Sequence, residues 1–153
     1  MNLIKIENSL EKLKIPNYIL LVSIVGIGLL IRISITHWDI FLESTDAFLF
    51  LLEARNYSVG NFEHINIRPV WSLILSGFFS VLHFEELINY MNIIRIVSIT
   101  ISCVTIFVIF KIGKKFVNDK YALFIAALFA FDPSLIQNSV LGIREPIFIL
   151  LGL

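Results

Sequence analysis

The residue types best suited to chemistry lie between Glu43 and Trp71, ESTDAFLFLLEARNYSVGNFEHINIRPVW, the only long polar interval between strongly apolar segments. Ser44, Thr45 and Asp46 are helix N-cap formers, and some twelve residues free of Gly and Pro follow before Gly60 supplies a stop signal. This predicts one short helix with Asp46 in its first turn. His64 and then Arg68-Pro69 close the interval, and the Arg68 guanidinium offers a planar fork suited to phosphate oxygens. A carboxylate and a cation thus bracket one loop. Further on, Arg144 and Glu145 stand directly before Pro146, where a helix N-terminus stabilises a carboxylate whether or not it binds anything.

The elements that must position these groups belong to a membrane protein. The hydrophobic fraction is 58% and the mean hydropathy +0.88, above the roughly 45–50% apolar content of a soluble domain. Twelve Lys and Arg balance twelve Asp and Glu, so no charge excess points to a nucleic-acid partner, and charge placement carries the information instead. Cys103 stands alone in an apolar run, which leaves neither a disulfide framework nor a CxxC pair.

In chain order, residues 1–17 carry Lys5, Lys12 and Lys14 in an amphipathic, cytoplasmic pattern. Residues 18–36 form a first span, long enough to cross a core of about 30 Å and read as a retained signal anchor. Arg32 is expected to snorkel from it to the far interface. Residues 37–92 form an outer loop with juxtamembrane helices at about 45–58 and 69–84. The second of these is apolar but short, with Ser72, Ser76, Ser80 and His83 on one face.

Spans at 93–112 and 120–136 flank a basic loop, 113–119, next to Lys111, Lys114, Lys115 and Lys120. The positive-inside rule asks for an even number of crossings between that cluster and the N-terminus, so 69–84 stays on the outer surface. Asp132-Pro133 is an N-cap and N1 pair. A second outer loop, 137–145, precedes a helix beginning at 146 that stops at Leu153, which reads as the N-terminal part of a longer protein. The expected class is therefore all-α and polytopic, truncated in mid-helix.

On these residues the chain resembles the N-terminal third of a GT-C membrane glycosyltransferase, in the group of polyprenyl-phosphate-sugar-dependent enzymes that includes protein O-mannosyltransferases and the lipid A aminoarabinose transferases. Asp46, Phe50, Ala54 and Gly60 fall on the spacing of that family's first-loop motif, with Phe where Tyr is commoner. Arg68, Pro69 and Trp71 resemble its basic-Pro-aromatic segment, with Arg for the usual Lys and one Pro. KIGKKF and ALFIAALFAFDP resemble the next two elements, in the right order. The resemblance implies Asp46 as general base, Glu145 as the second acidic position, and Arg68 as the group holding the lipid phosphate. Arg144 and His64 join the substrate-binding candidates.

The implied partners are a polyprenyl-phosphate sugar donor and membrane lipid, with the acceptor unspecified and the active side non-cytoplasmic. No cofactor follows with certainty. A divalent metal is open, since His37 and His64 could join Asp46, although no spacing here resembles a zinc signature. Asp39, Glu43 and Glu53 are rival acids on the first loop, and Glu53 shares a helical face with Asp46.

Other readings stand beside these. Asp46 could simply cap its helix, Arg68 could meet headgroup phosphates, and Arg95 could anchor its span or approach a lipid phosphate. Asn56-Tyr57-Ser58 matches a glycosylation sequon, as short chains often do by chance. The alternative to an enzyme is a non-catalytic fragment or scaffold subunit. A transporter is disfavoured because charges deep in the spans are few. Residues 1–153 alone are expected to be inactive.

Overall fold

The computed structural model describes residues 16–41, 44–62 and 70–152. Lys5, Lys12, Lys14, Glu43, His64 and Arg68 lie outside the described residues. The described chain is all-helical, with seven helices and no strand: α1 (Asn17–Ile35), α2 (Thr45–Ser58), α3 (Val70–Val81), α4 (Leu87–Phe116), α5 (Asp119–Phe131), α6 (Pro133–Val140) and α7 (Glu145–Gly152).

Two of them, α1 and α4, are long and apolar enough to cross a membrane. The 19 residues of α1 rise about 28 Å, close to the thickness of a bilayer core. The 30 residues of α4 rise about 45 Å, well beyond it. No Gly or Pro interrupts α4 before Gly113, and its helix-forming lysines carry the helix past the apolar run, so it exceeds the expected 93–112 at both ends.

A third crossing requires α5 and α6 together, and they meet at a bend of 52°. The cause is local. Asp132 has an extended backbone, and its side chain accepts a hydrogen bond from Leu135 N at 2.9 Å. Pro133 supplies the N1 residue of a new helix and no N–H to the old one. The segment expected as an outer loop from 137 is therefore largely helical, and only residues 141–144 connect α6 to α7. Gly142 turns that link with φ +70°, a conformation in which a Cβ is strained.

Helix α4 packs against all six others. Toward its N-terminus, Tyr90, Met91 and Ile94 join Phe50, Leu51 and Ala54 of α2, Trp71, Leu75 and Phe79 of α3, and Ile147 of α7 in one core. Toward its C-terminus, Ile106 and Phe110 join Leu21 of α1 and Ala122, Leu123, Ala126 and Ala130 of α5 in a second. Small alanines on α5 allow a close approach of the kind membrane helices use. Between the cores α4 buries Ser98, Ser102, Cys103 and Thr105.

Arg32 corrects the expectation of snorkelling. It is fully buried, with Nη1 donating to Gly28 O and Ala130 O, both at 3.0 Å, and Nε donating to Ser139 Oγ at 3.1 Å. The bend explains the choice. Ending α5 at Phe131 leaves its last carbonyls without helical donors, and a cation at a helix C-terminus is favoured by both hydrogen bonding and the macrodipole. Satisfying Ala130 O from α1 is worth more inside a membrane than reaching water, because an orphan backbone carbonyl there has no solvent to turn to.

Two glycines of α1 make this testable. A Cβ at Gly28 would stand 3.3 Å from Arg32 Nη1 and 3.6 Å from Ala130 O, whereas one at Gly26 meets nothing within 4 Å. In detergent melts Gly26→Ala is expected to hold or raise stability, and Gly28→Ala to fall below it by about 1 kcal/mol, the helix gain being lost to the displaced guanidinium. Arg32→Leu leaves Ala130 O unpaired and is expected to cost on the order of 1–3 kcal/mol. A wild-type melting profile for Arg32→Leu would remove the anchoring role.

Candidate functional site

The α2–α3 pair is where the first-loop candidates gather. Ser44 caps α2, its Oγ accepting from Ala47 N at 3.5 Å, and Gly60 follows the helix with φ +81°. The buried residues of α2, Ala47, Phe50, Leu51, Ala54 and Tyr57, recur at three and four and form one face. On α3, Trp71, Leu75 and Phe79 recur every fourth residue and meet that face. Phe79 packs edge-on against Tyr90 of α4 with ring centroids 4.8 Å apart, and Arg55 stands 5.8 Å from the centre of the same Tyr90 ring.

Asp46 lies in the first turn of α2 and is exposed. Because Ser44 fills the cap, the carboxylate is spared that role, and it makes no hydrogen bond or ion pair among the described residues. Glu53, the rival acid two turns on, is engaged instead. Its Oε2 accepts from the buried Ser72 hydroxyl at 2.7 Å, tying α2 to α3. The serine stripe therefore divides by depth: Ser72 bridges helices, while Ser76 and Ser80 bond back to Leu73 O and Gly77 O of their own helix.

The second candidate cluster meets this pair through aromatic rings. Arg144, half-buried before α7, has its guanidinium carbon 5.7 Å from the Phe50 ring and 5.7 Å from the Phe148 ring, a cation–π geometry that holds the charge over both. Phe50 is one turn beyond Asp46. Trp71 donates from Nε1 to Gly142 O at 3.3 Å, which fastens the start of α3 to the turn carrying Arg144 and Glu145. Glu145 opens α7, and its Oε2 is buried without a hydrogen-bond partner among the described residues. Leaving an acceptor unmet costs about 1–3 kcal/mol, so a donor arriving there is favoured.

Three cavities lie elsewhere. One of about 400 Å³ sits beside the C-terminal end of α1, bordered by His37, Arg95 and Gln137 among apolar residues. A groove of about 1290 Å³ runs between α1 and α5, and about 500 Å³ lies on the outer face of α3. None of the three is lined by Asp46, Arg144 or Glu145. Arg95 is an anchor: its Nη2 donates to Ile40 O at 2.8 Å and its Nη1 to Asn92 Oδ1 at 2.9 Å. Among the described residues no three His, Cys, Asp or Glu side chains are grouped to hold a metal ion. The Asn56 sequon lies inside α2, and a folded helix holds it away from the extended form.

Sequence reasoning placed Arg144 and Glu145 next to each other but not against Phe50, and it missed the Glu53–Ser72 and Arg32–Ala130 contacts. Only the helical spacing of Glu53 hinted at a role for it. No family model matches the chain, and no curated protein or solved structure matches it.

The division of labour at the start of α2 has a measurable consequence. Ser44→Ala is expected to cost about 1 kcal/mol through the lost cap. Asp46→Asn should cost no more than a few tenths, the dipole interaction of an exposed first-turn charge. Comparable losses for the two in thermal melts would mean that Asp46 is structural.

Proposed function

We propose that this chain is the N-terminal portion of a membrane glycosyltransferase of the GT-C type, moving a sugar from a polyprenyl-phosphate donor to an acceptor on the non-cytoplasmic face. The observation that carries the reading is the state of Asp46: a first-turn carboxylate, exposed, relieved of capping by Ser44 and tied to no other described group. Such a group is available as a general base. The order of the motifs around it supports the same reading, as does the Phe50–Arg144 contact, which brings the second acidic candidate into the neighbourhood of α2.

In this reading α1 and α4 cross the bilayer, and the α2–α3 pair lies along its outer surface. Helix α3 suits that placement. It is only 12 residues long, and Val70, Leu73, Phe78 and Val81 leave an apolar face exposed. The roles divide by chemistry. Asp46 takes the acceptor's proton as the nucleophile attacks the anomeric carbon, and the sugar–phosphate bond breaks as the lipid phosphate leaves. Arg68 neutralises the departing phosphate. Glu145 accepts hydrogen bonds from sugar hydroxyls, which would satisfy its unpartnered Oε2, and Arg144 and His64 line the substrate.

A scaffold reading has one observation in its favour, since none of the three cavities described above is bordered by Asp46 or Glu145. Transfer from a radiolabelled polyprenyl-phosphate sugar, assayed in membranes holding the full gene product, separates the two. The expected result is a loss of about 10²–10⁴-fold for Asp46→Asn, the contribution of a positioned general base, with expression and melting unchanged. Arg68→Gln should raise the donor KM. Wild-type transfer by Asp46→Asn would end the catalytic assignment and leave the scaffold.

A further inference from the structure

The groove between α1 and α5 has a polar end and an apolar length, and both helices agree on which end is which. They run parallel, because Asn17 at the start of α1 donates from Nδ2 to Asp119 Oδ2 at 2.7 Å at the start of α5, while Arg32 near the end of α1 reaches Ala130 near the end of α5. Asn17, Lys114 and Lys120 border the groove at the first pole, and Ile27, Phe124 and Phe131 border it further along. The lining is therefore graded along the helix axes rather than mixed.

The charge at the polar end is unbalanced toward cations. The Asp119 carboxylate in the lining is occupied on both oxygens, by Asn17 and by Lys114, whose Nζ lies 3.1 Å from Oδ1. Lys120 is exposed and forms no ion pair among the described residues. Lys111 and Lys115 at the end of α4 add to the field of the same pole. From Lys120 to Phe131 the helix rises about 16 Å, half of a core of about 30 Å. The groove is thus one leaflet deep, open to the outside along its length, with Phe124 at 61% exposure and Ile27 at 51%.

We propose that this groove is a binding site for an anionic diacyl phospholipid, its headgroup phosphate held by Lys120 in the field of Lys111 and Lys115, and one acyl chain lying between α1 and α5. The proposal needs no glycosyl transfer and stands or falls separately from it. Basic pockets between membrane helices select anionic headgroups because each lysine near the surface adds attraction to the phosphate, while the apolar walls replace neighbouring lipid at no cost in exposed surface. A zwitterionic lipid fills the same walls but gains less at the lysines.

Native mass spectrometry of the chain, released from nanodiscs of mixed phosphatidylglycerol and phosphatidylcholine, reads the retained lipid directly. Wild type is expected to keep phosphatidylglycerol in preference, and Lys120→Gln to lower that preference about fivefold, the share of one surface lysine. Lys120→Arg should retain it. Ala127→Trp, which fills the groove wall, should reduce retention of both lipids. Because Lys120 is exposed, its variants test the headgroup contact without disturbing the fold. Equal retention of the two lipids by wild type, or an unchanged preference in Lys120→Gln, overturns the assignment. Efficient disulfide linkage of two copies through Ala127→Cys in the bilayer overturns it too, because the face would then be covered by a second chain.

Discussion

The fold turns on a guanidinium buried among helices. Arg32 sits three residues from the end of α1, yet it turns inward to Gly28 O, Ala130 O and Ser139 Oγ. Withdrawing a charged group from water costs several kcal/mol even after relaxation, so the arrangement persists only because something worse is avoided. That is the exposure of the carbonyls freed where α5 stops. Pro133 cannot donate and the chain bends 52°, so the C-terminus of α5 would face lipid or protein with unmet acceptors. Arg32 supplies donors from α1, and by also holding Ser139 it fixes the direction in which α6 leaves. One residue thus sets the position of a span, a bend and the helix beyond it.

The consequences spread along α4. Its two cores, one built with α2, α3 and α7 and the other with α1 and α5, are separated by a stretch that buries Ser98, Ser102 and Thr105. Thr105 Oγ1 returns its proton to Ile101 O at 2.8 Å, which satisfies the hydroxyl within the helix and keeps the side chain slim. Among the described residues Arg32 Nη2 has no partner, and Ser98 Oγ has none either. The middle of the molecule is therefore polar and incompletely paired, whereas its two ends are densely apolar. Tight packing at both ends of a single long helix holds the α2–α3 pair at a fixed remove from the α1–α5 pair.

What the sequence carried clearly was local. The extent of α2 lies between signals written in adjacent residues, Ser44 at one end and Gly60 at the other, and the break at Asp132-Pro133 is likewise a property of two neighbours. The apolar runs announced two membrane-length helices by composition alone. The partners of Arg32 and Glu53 were hidden for a different reason. Each depends on a residue from another helix, Ala130 98 positions away from Arg32 and Ser72 19 away from Glu53, and no periodicity within one helix encodes such pairing. An Arg near the end of a span reads as snorkelling under every local rule, and only the orphan carbonyl across the interface reverses that preference.

The same distinction governs the candidate site. Ser44, Thr45 and Asp46 are all cap formers, so the sequence left open which of them caps α2, and the structure gives that role to Ser44 and leaves Asp46 a carboxylate that the cap does not require. Glu145 is different, since its position before Pro146 accounts for a helix start but not for a buried oxygen with no donor among the described residues. The link between the two comes from Phe50 and Arg144, a cation held over rings from two helices, and from Trp71 bonded to the Gly142 turn. Aromatic contacts of this kind position without neutralising, so the Arg144 charge stays available to an anion while its orientation is set by α2 and α7. Asp46, hydrated at the surface, carries no penalty for standing alone, whereas the buried Glu145 Oε2, without a hydrogen-bond partner among the described residues, keeps a desolvation cost that an incoming donor would relieve.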